Sequence, residues 1–126
     1  MSDMDEGTPP ERSSVGWTTG KSVAMPQPAI TVDVPLEIAR RSVYLMGLAE
    51  EAVTSGNPNA ASDAYSAAAA LHAAALSALA NVDINAITFI DRTRQRELSD
   101  SASSLRNRAQ SILRDVGEAF VIAVHA

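Results

Sequence analysis

Cysteine is absent from the chain, which removes a disulfide framework, thiolate metal ligation and a cysteine nucleophile together. The two histidines, His72 and His125, stand isolated and offer no metal-ligand spacing, so no metal site is expected. Aromatic residues make up only 4% of the chain, and 23 alanines supply much of its apolar content, which suits closely approaching helices better than a β-sandwich. Positive charge is also scarce. Lys21 is the sole lysine, and ten basic against fifteen acidic residues leave a net charge of −5, which argues against a nucleic-acid binder. No apolar run is read as reaching the roughly 18 residues of a membrane span. Asp3, Asp5 and Glu6 stand where a secretory leader would be positive. The expectation is a soluble, cytoplasmic protein with neither membrane nor nucleic acid as partner.

What is present divides the chain in two. Residues 1–33 hold four of the six prolines, three of the six glycines and the single Trp17, with neither helical nor strand period, and read as a flexible arm. From residue 34 to 126 the pattern is helical. Asp33 as a cap and Pro35 in a first turn open a helix over 34–55, in which Leu36, Ala39, Val43, Met46 and Val53 share a face. Asn57-Pro58 opens a second helix over 58–88, in which 12 of the 21 positions from 60 to 80 are alanine. Asp91 caps a third over 91–121, where Leu98, Ala102, Leu105, Ala109, Ile112, Val116 and Phe120 step by four and three. The predicted fold is all-α: an antiparallel bundle of three long helices, completed by oligomerisation or by a partner half-domain because so little area is buried per residue.

Three features carry little chemistry. Gly16-Trp17-Thr18-Thr19-Gly20-Lys21-Ser22 has three residues between its glycines where a phosphate-binding loop needs four, and nucleotide binding is discarded. His72, mid-helix among alanines, reads as a packing side chain. Arg92, Arg94 and Arg96 read as a solvated charged face that could at most steer an anion.

More specific are three stretches in fixed order: Val34-Pro35-Leu36-Glu37, then Gly56-Asn57-Pro58-Asn59-Ala60-Ala61-Ser62-Asp63-Ala64, then Asn81-Val82-Asp83-Ile84-Asn85. Together they resemble the cyclodeaminase/cyclohydrolase family, the C-terminal domain of formiminotransferase-cyclodeaminase, over residues 34–120. The resemblance implies folate one-carbon metabolism, as a cyclodeaminase (an ammonia-lyase) or a methenyltetrahydrofolate cyclohydrolase, with a tetrahydrofolate derivative as substrate. It also implies a glycine-rich segment and further helices in a first half that residues 1–33 do not resemble. One half of a split or truncated enzyme is therefore expected, in a homo-oligomer or bound to a complementary N-terminal half-domain; the alternative is a non-catalytic helical assembly subunit or fragment that retains only the family's packing.

By that resemblance Asp63 is the candidate catalytic residue, and Asn57, Asn59, Ser62, Asn81 and Asn85 are candidate substrate-binding residues. A carboxylate early in the second helix suits the positive end of the helix dipole, so Asp63 reads as a base or orienting anion, or else as a structural helix-end carboxylate. Asn81 and Asn85, at i and i+4, share a face as amides that burial would oblige to hydrogen-bond. Asp63 and Asn81 are separated by five helical turns, about 27 Å, so both can serve one ligand only if other chains complete the site.

Overall fold

The computed structural model describes residues 28–55, 57–89 and 91–125. They form three α-helices, α1 (Pro28–Ser55), α2 (Pro58–Ala86) and α3 (Arg92–His125), and no strand occurs among them. The expected arm and its Gly16–Ser22 stretch lie outside the described residues, apart from the start of α1.

Each connection is short, which makes sequential helices antiparallel neighbours. At the first, Asn57 is extended (φ −77°, ψ 173°) and its Oδ1 accepts from the Ala60 N–H at 2.9 Å, with Pro58 in the first turn where no intrahelical donor is needed. At the second, the Thr88 and Phe89 amides donate to the Asn85 and Ala86 carbonyls, closing α2 with a tight turn. Asp91 then caps α3 as expected: its Oδ1 accepts from the amides of Thr93 (2.9 Å) and Arg94 (3.2 Å). The Gln95 amide group reaches back to the Ile87 and Phe89 carbonyls and ties the connection down.

Helix α1 departs from expectation. It begins at Pro28, six residues before the expected start, so Pro35 lies inside it and Asp33 is an exposed helical residue instead of a cap. An interior proline forfeits a backbone hydrogen bond and crowds the preceding turn, at a cost of about 3 kcal/mol. Opposing that cost, Val32 and Leu36 on either side are buried in the core, and Pro28 is itself suited to a first helical turn. Local punctuation pointed to residue 35, and tertiary burial carried the helix past it.

The core forms two clusters along the bundle. Near the α1–α2 connection, Val43, Met46 and Val53 pack with Ala61, Ala64, Ala68 and Ala75 of α2 and with Ala109, Ile112 and Val116 of α3. Tyr65 and Phe120 stack beside it, ring centroids 5.1 Å apart. At the other end, Val32, Leu36 and Ala39 meet Ala78, Leu79, Val82 and Ala86 of α2 and Leu98 and Ala102 of α3. The α3 seam follows the expected four-and-three stepping, with Leu105 touching both clusters. Helix α1 makes its most extensive contact with α2, through the alanine face.

Much apolar surface stays outside. Val34, Ile38, Leu45 and Leu48 form an exposed stripe on α1, one helical face away from its buried residues. Exposed alanines alternate with Leu76 and Ile84 on the outer side of α2. The expectation that no run has membrane-span character requires correction. α2 is long and apolar enough to cross a membrane by length and composition alone, since no charged residue lies between Asp63 and Asp83, and only 28% of the qualifying stretch is buried in the bundle. Alanine gains little from leaving water, and core helices satisfy the same criterion.

Candidate functional site

The six candidate residues all lie on or next to α2, but the fold separates them into two groups. Asn57, Asn59, Ser62 and Asp63 occupy its N-terminal end and are exposed. Asn57 spends its side-chain oxygen on the cap, so its role there is to define the first turn. Asp63 sits in the second turn, past the free amides of the helix start, with no carboxylate or amide neighbour hydrogen-bonded to it among the described residues. Among the described residues neither Asn59 nor Ser62 is hydrogen-bonded to Asp63.

Asn81 and Asn85 lie at the far end, about 27 Å or more from Asp63 along a straight helix. Asn81 is exposed and Asn85 half-buried, so neither is a fully buried amide. The Asn85 carbonyl holds the helix-ending turn, accepting from the Thr88 amide at 3.1 Å and the Thr88 hydroxyl at 2.7 Å.

The concave surface lies elsewhere. A groove of about 550 Å³ runs between the C-terminal end of α2 and the first half of α3, lined by Asp83, Ile87, Arg92, Arg96, Ser99, Ser103 and Arg106 among others. A second, of about 480 Å³, lies between α1 and Arg108 and includes Tyr44, Glu50, Glu51 and Thr54. None of the six candidate residues lines either groove. In the first, the Arg106 guanidinium donates to Asp83 at 2.7 Å, joining α3 to α2.

The arginines at the start of α3 are not one undivided face. Arg94 turns toward Glu97 (3.5 Å) and Asp33 (3.9 Å), whereas Arg92 and Arg96, one turn apart, face the groove. The signal for this was the polar sequence 92, 96, 99, 103, 106, which steps by four and three beside the apolar seam.

His72 lies on the buried side of α2 between Ala68 and Ala75, half-buried itself, and its Nε2 is enclosed without a hydrogen-bond partner among the described residues. It packs, as expected. No group of three or more His, Cys, Asp or Glu with metal-holding proximity occurs among the described residues.

The architecture is thus a helical domain with an alanine-packed central helix and an asparagine-capped, carboxylate-bearing start to that helix. The chain belongs to the formiminotransferase-cyclodeaminase family, whose model matches residues 26–104 and so takes in α1, α2, the first part of α3 and all six candidate residues. No curated protein and no solved structure matches it.

Proposed function

We propose that the chain acts in folate one-carbon metabolism as part of a cyclodeaminase or cyclohydrolase, with Asp63 as the proton acceptor or orienting anion of a site that another chain completes. The observation that carries this reading is the family match across residues 26–104, which contains both asparagine signatures and Asp63. In the cyclodeaminase reaction, N10 of a formimidoyl-tetrahydrofolate attacks the carbon of the protonated, amidinium form of the formimino group, whose nitrogen already carries two of ammonia's three hydrogens. The new N10–C bond forms, the bond to the departing nitrogen breaks, and ammonia leaves. The proton lost by N10 passes through the Asp63 carboxylate to the leaving nitrogen, a transfer worth about 10²–10⁴-fold in rate when positioned. In the cyclohydrolase reaction the same carboxylate takes a proton from the water that attacks the methenyl carbon and passes it to N5 as the carbon–N5 bond breaks, the proton of the new hydroxyl leaving to solvent as the formyl group forms.

The exposure of Asp63, Asn59 and Ser62 fits a half-site. So does the uncovered stripe of Val34, Ile38, Leu45 and Leu48, which a second copy or a complementary half-domain would bury. Asn57 holds the turn that presents the site, and Asn81 and Asn85 are reserved for a ligand edge or helix contributed across the assembly. The separation of the six residues favours one rival, a non-catalytic subunit that retains the packing without the chemistry.

The test is turnover of formimidoyl- and methenyl-tetrahydrofolate by the full chain, alone and mixed with a family half-domain carrying the glycine-rich segment. Activity is expected in the mixture, with little or none in the monomer. Asp63→Asn is expected to lower that activity by about a hundredfold or more with helicity unchanged. A fully active monomer would remove the assembly requirement, and unchanged turnover in Asp63→Asn would remove Asp63 from the chemistry. Inactivity in every combination would leave the assembly-subunit reading.

A further inference from the structure

We propose that the groove between α2 and α3 is a binding site for a small ligand carrying a phosphoryl dianion, held chiefly by Arg92 and Arg96. In a chain of net charge −5, this groove gathers three guanidinium groups against the single carboxylate of Asp83. Arg106 is engaged by that carboxylate at 2.7 Å, but Arg92 and Arg96 have no carboxylate partner among the described residues. Of the neighbouring acids, Glu97 and Asp33 face Arg94, Asp91 accepts from the amides that open α3, and Asp100, at i+4 from Arg96, forms no ion pair with it and lines a separate depression with Arg40. Two like charges at i and i+4 repel and weaken a helix, so the pairing has no stabilising role within the chain.

The geometry suits one tetrahedral group. Arg92 and Arg96 rise by about 6 Å along the helix, within reach of different oxygens of one phosphoryl group, and Arg presents a planar fork of donors. Ser99 and Ser103 continue the same line and supply neutral hydroxyl donors, while Arg106, fixed by Asp83, closes the far side. The surplus of two positive charges matches a dianion. A groove of about 550 Å³ is the size that takes a small molecule. The site is distinct from the Asp63 end of α2, from which Asp83 is separated by about 30 Å of helix, and does not rest on the folate reading.

The experiment is calorimetric titration of the full chain with inorganic phosphate and with pyrophosphate, at low ionic strength balanced with chloride, and succinate as the dicarboxylate comparison. Saturable binding of pyrophosphate is expected. Arg92→Gln and Arg96→Gln are each expected to weaken it by about tenfold or more, as for loss of a charge-assisted hydrogen bond. Arg108→Gln, in the groove beside α1, and Asp63→Asn are expected to leave it within about twofold. Both arginines are exposed, so these variants should fold, and circular dichroism checks that they do. Absence of saturable binding, or equal binding by Arg96→Gln, would overturn the site; succinate binding as tightly as pyrophosphate would overturn its assignment to phosphoryl groups.

Discussion

The two ends of α2 are built differently although one helix runs through both. From Ala61 to Ala75 its buried residues are all alanine, Ala61, Ala64, Ala68 and Ala75, with Leu71 only partly buried beside them, and most of the aliphatic bulk comes from α1 and α3. In its C-terminal half the helix contributes Leu79 and Val82 of its own. The polar chemistry divides the same way: an exposed carboxylate and amides on open surface at the first end, a cationic groove at the second. A small-residue face sets how closely its neighbours approach while burying little area itself, whereas Leu79 and Val82 contribute burial energy of roughly 1.5–3 kcal/mol each. The first end is therefore sensitive to added volume and the second to lost volume.

The largest expected effect tests that asymmetry directly. Leu79 is fully buried, so Leu79→Ala should destabilise the chain by about 2–5 kcal/mol, read as a lowered urea midpoint by circular dichroism. A loss well under 1 kcal/mol would mean that this end is held by something other than its core. Next comes the opposite change at the opposite end. Ala68 is fully buried among helices, and Ala68→Leu should cost about 1–3 kcal/mol through overpacking. Ala70→Leu, on the exposed side of the same turn, should stay within about 0.5 kcal/mol. Equal effects at Ala68 and Ala70 would dissolve the contrast between faces.

These residues also show which parts of the molecule were legible from sequence. Caps, breakers and period agree at Asn57-Pro58, at Asp91 and along Leu98 to Val116, because each signal and the structure it specifies are local. Pro35 misled because its local preference was overruled by contacts of Val32 and Leu36 with residues far along the chain. Asp63 was marked in the sequence only as a candidate, through the asparagine and serine of its motif, since the groups that would build a site around it are not among its sequence neighbours. The groove was legible only as a polar face of α3, stepping through 92, 96, 99, 103 and 106, for a related reason. Arg92 and Arg96 become a site only when α3 is set against Asp83 and Ile87 of α2, a pairing that no spacing in the sequence encodes.

A smaller effect sharpens the description of how α2 begins. Asn57→Ala removes the acceptor of the Ala60 amide and should cost about 1 kcal/mol, within the range of about 0.5–2 for lost caps, whereas Asn57→Gly should cost only a few tenths. The thermal midpoint of the two variants checks the ordering. Reversal would show that Asn57 serves something beyond the cap.

The smallest expected effect on stability bears most on function. Asp63 is exposed, lies past the free amides of the α2 start, and has no ion-pair partner among the described residues. A carboxylate that served the helix dipole would contribute about 0.3–1 kcal/mol, chiefly in the first turn and at low salt. Asp63→Asn, measured by urea unfolding at low and high ionic strength, is therefore expected to change stability by less than about 0.3 kcal/mol, with no salt dependence. A salt-sensitive loss near 1 kcal/mol would identify Asp63 as a structural helix-end charge and withdraw the physical support for its place in proton transfer. The neutral outcome leaves the fold with no use for this charge, so the reason for a carboxylate at the exposed start of α2 must be sought in what binds there.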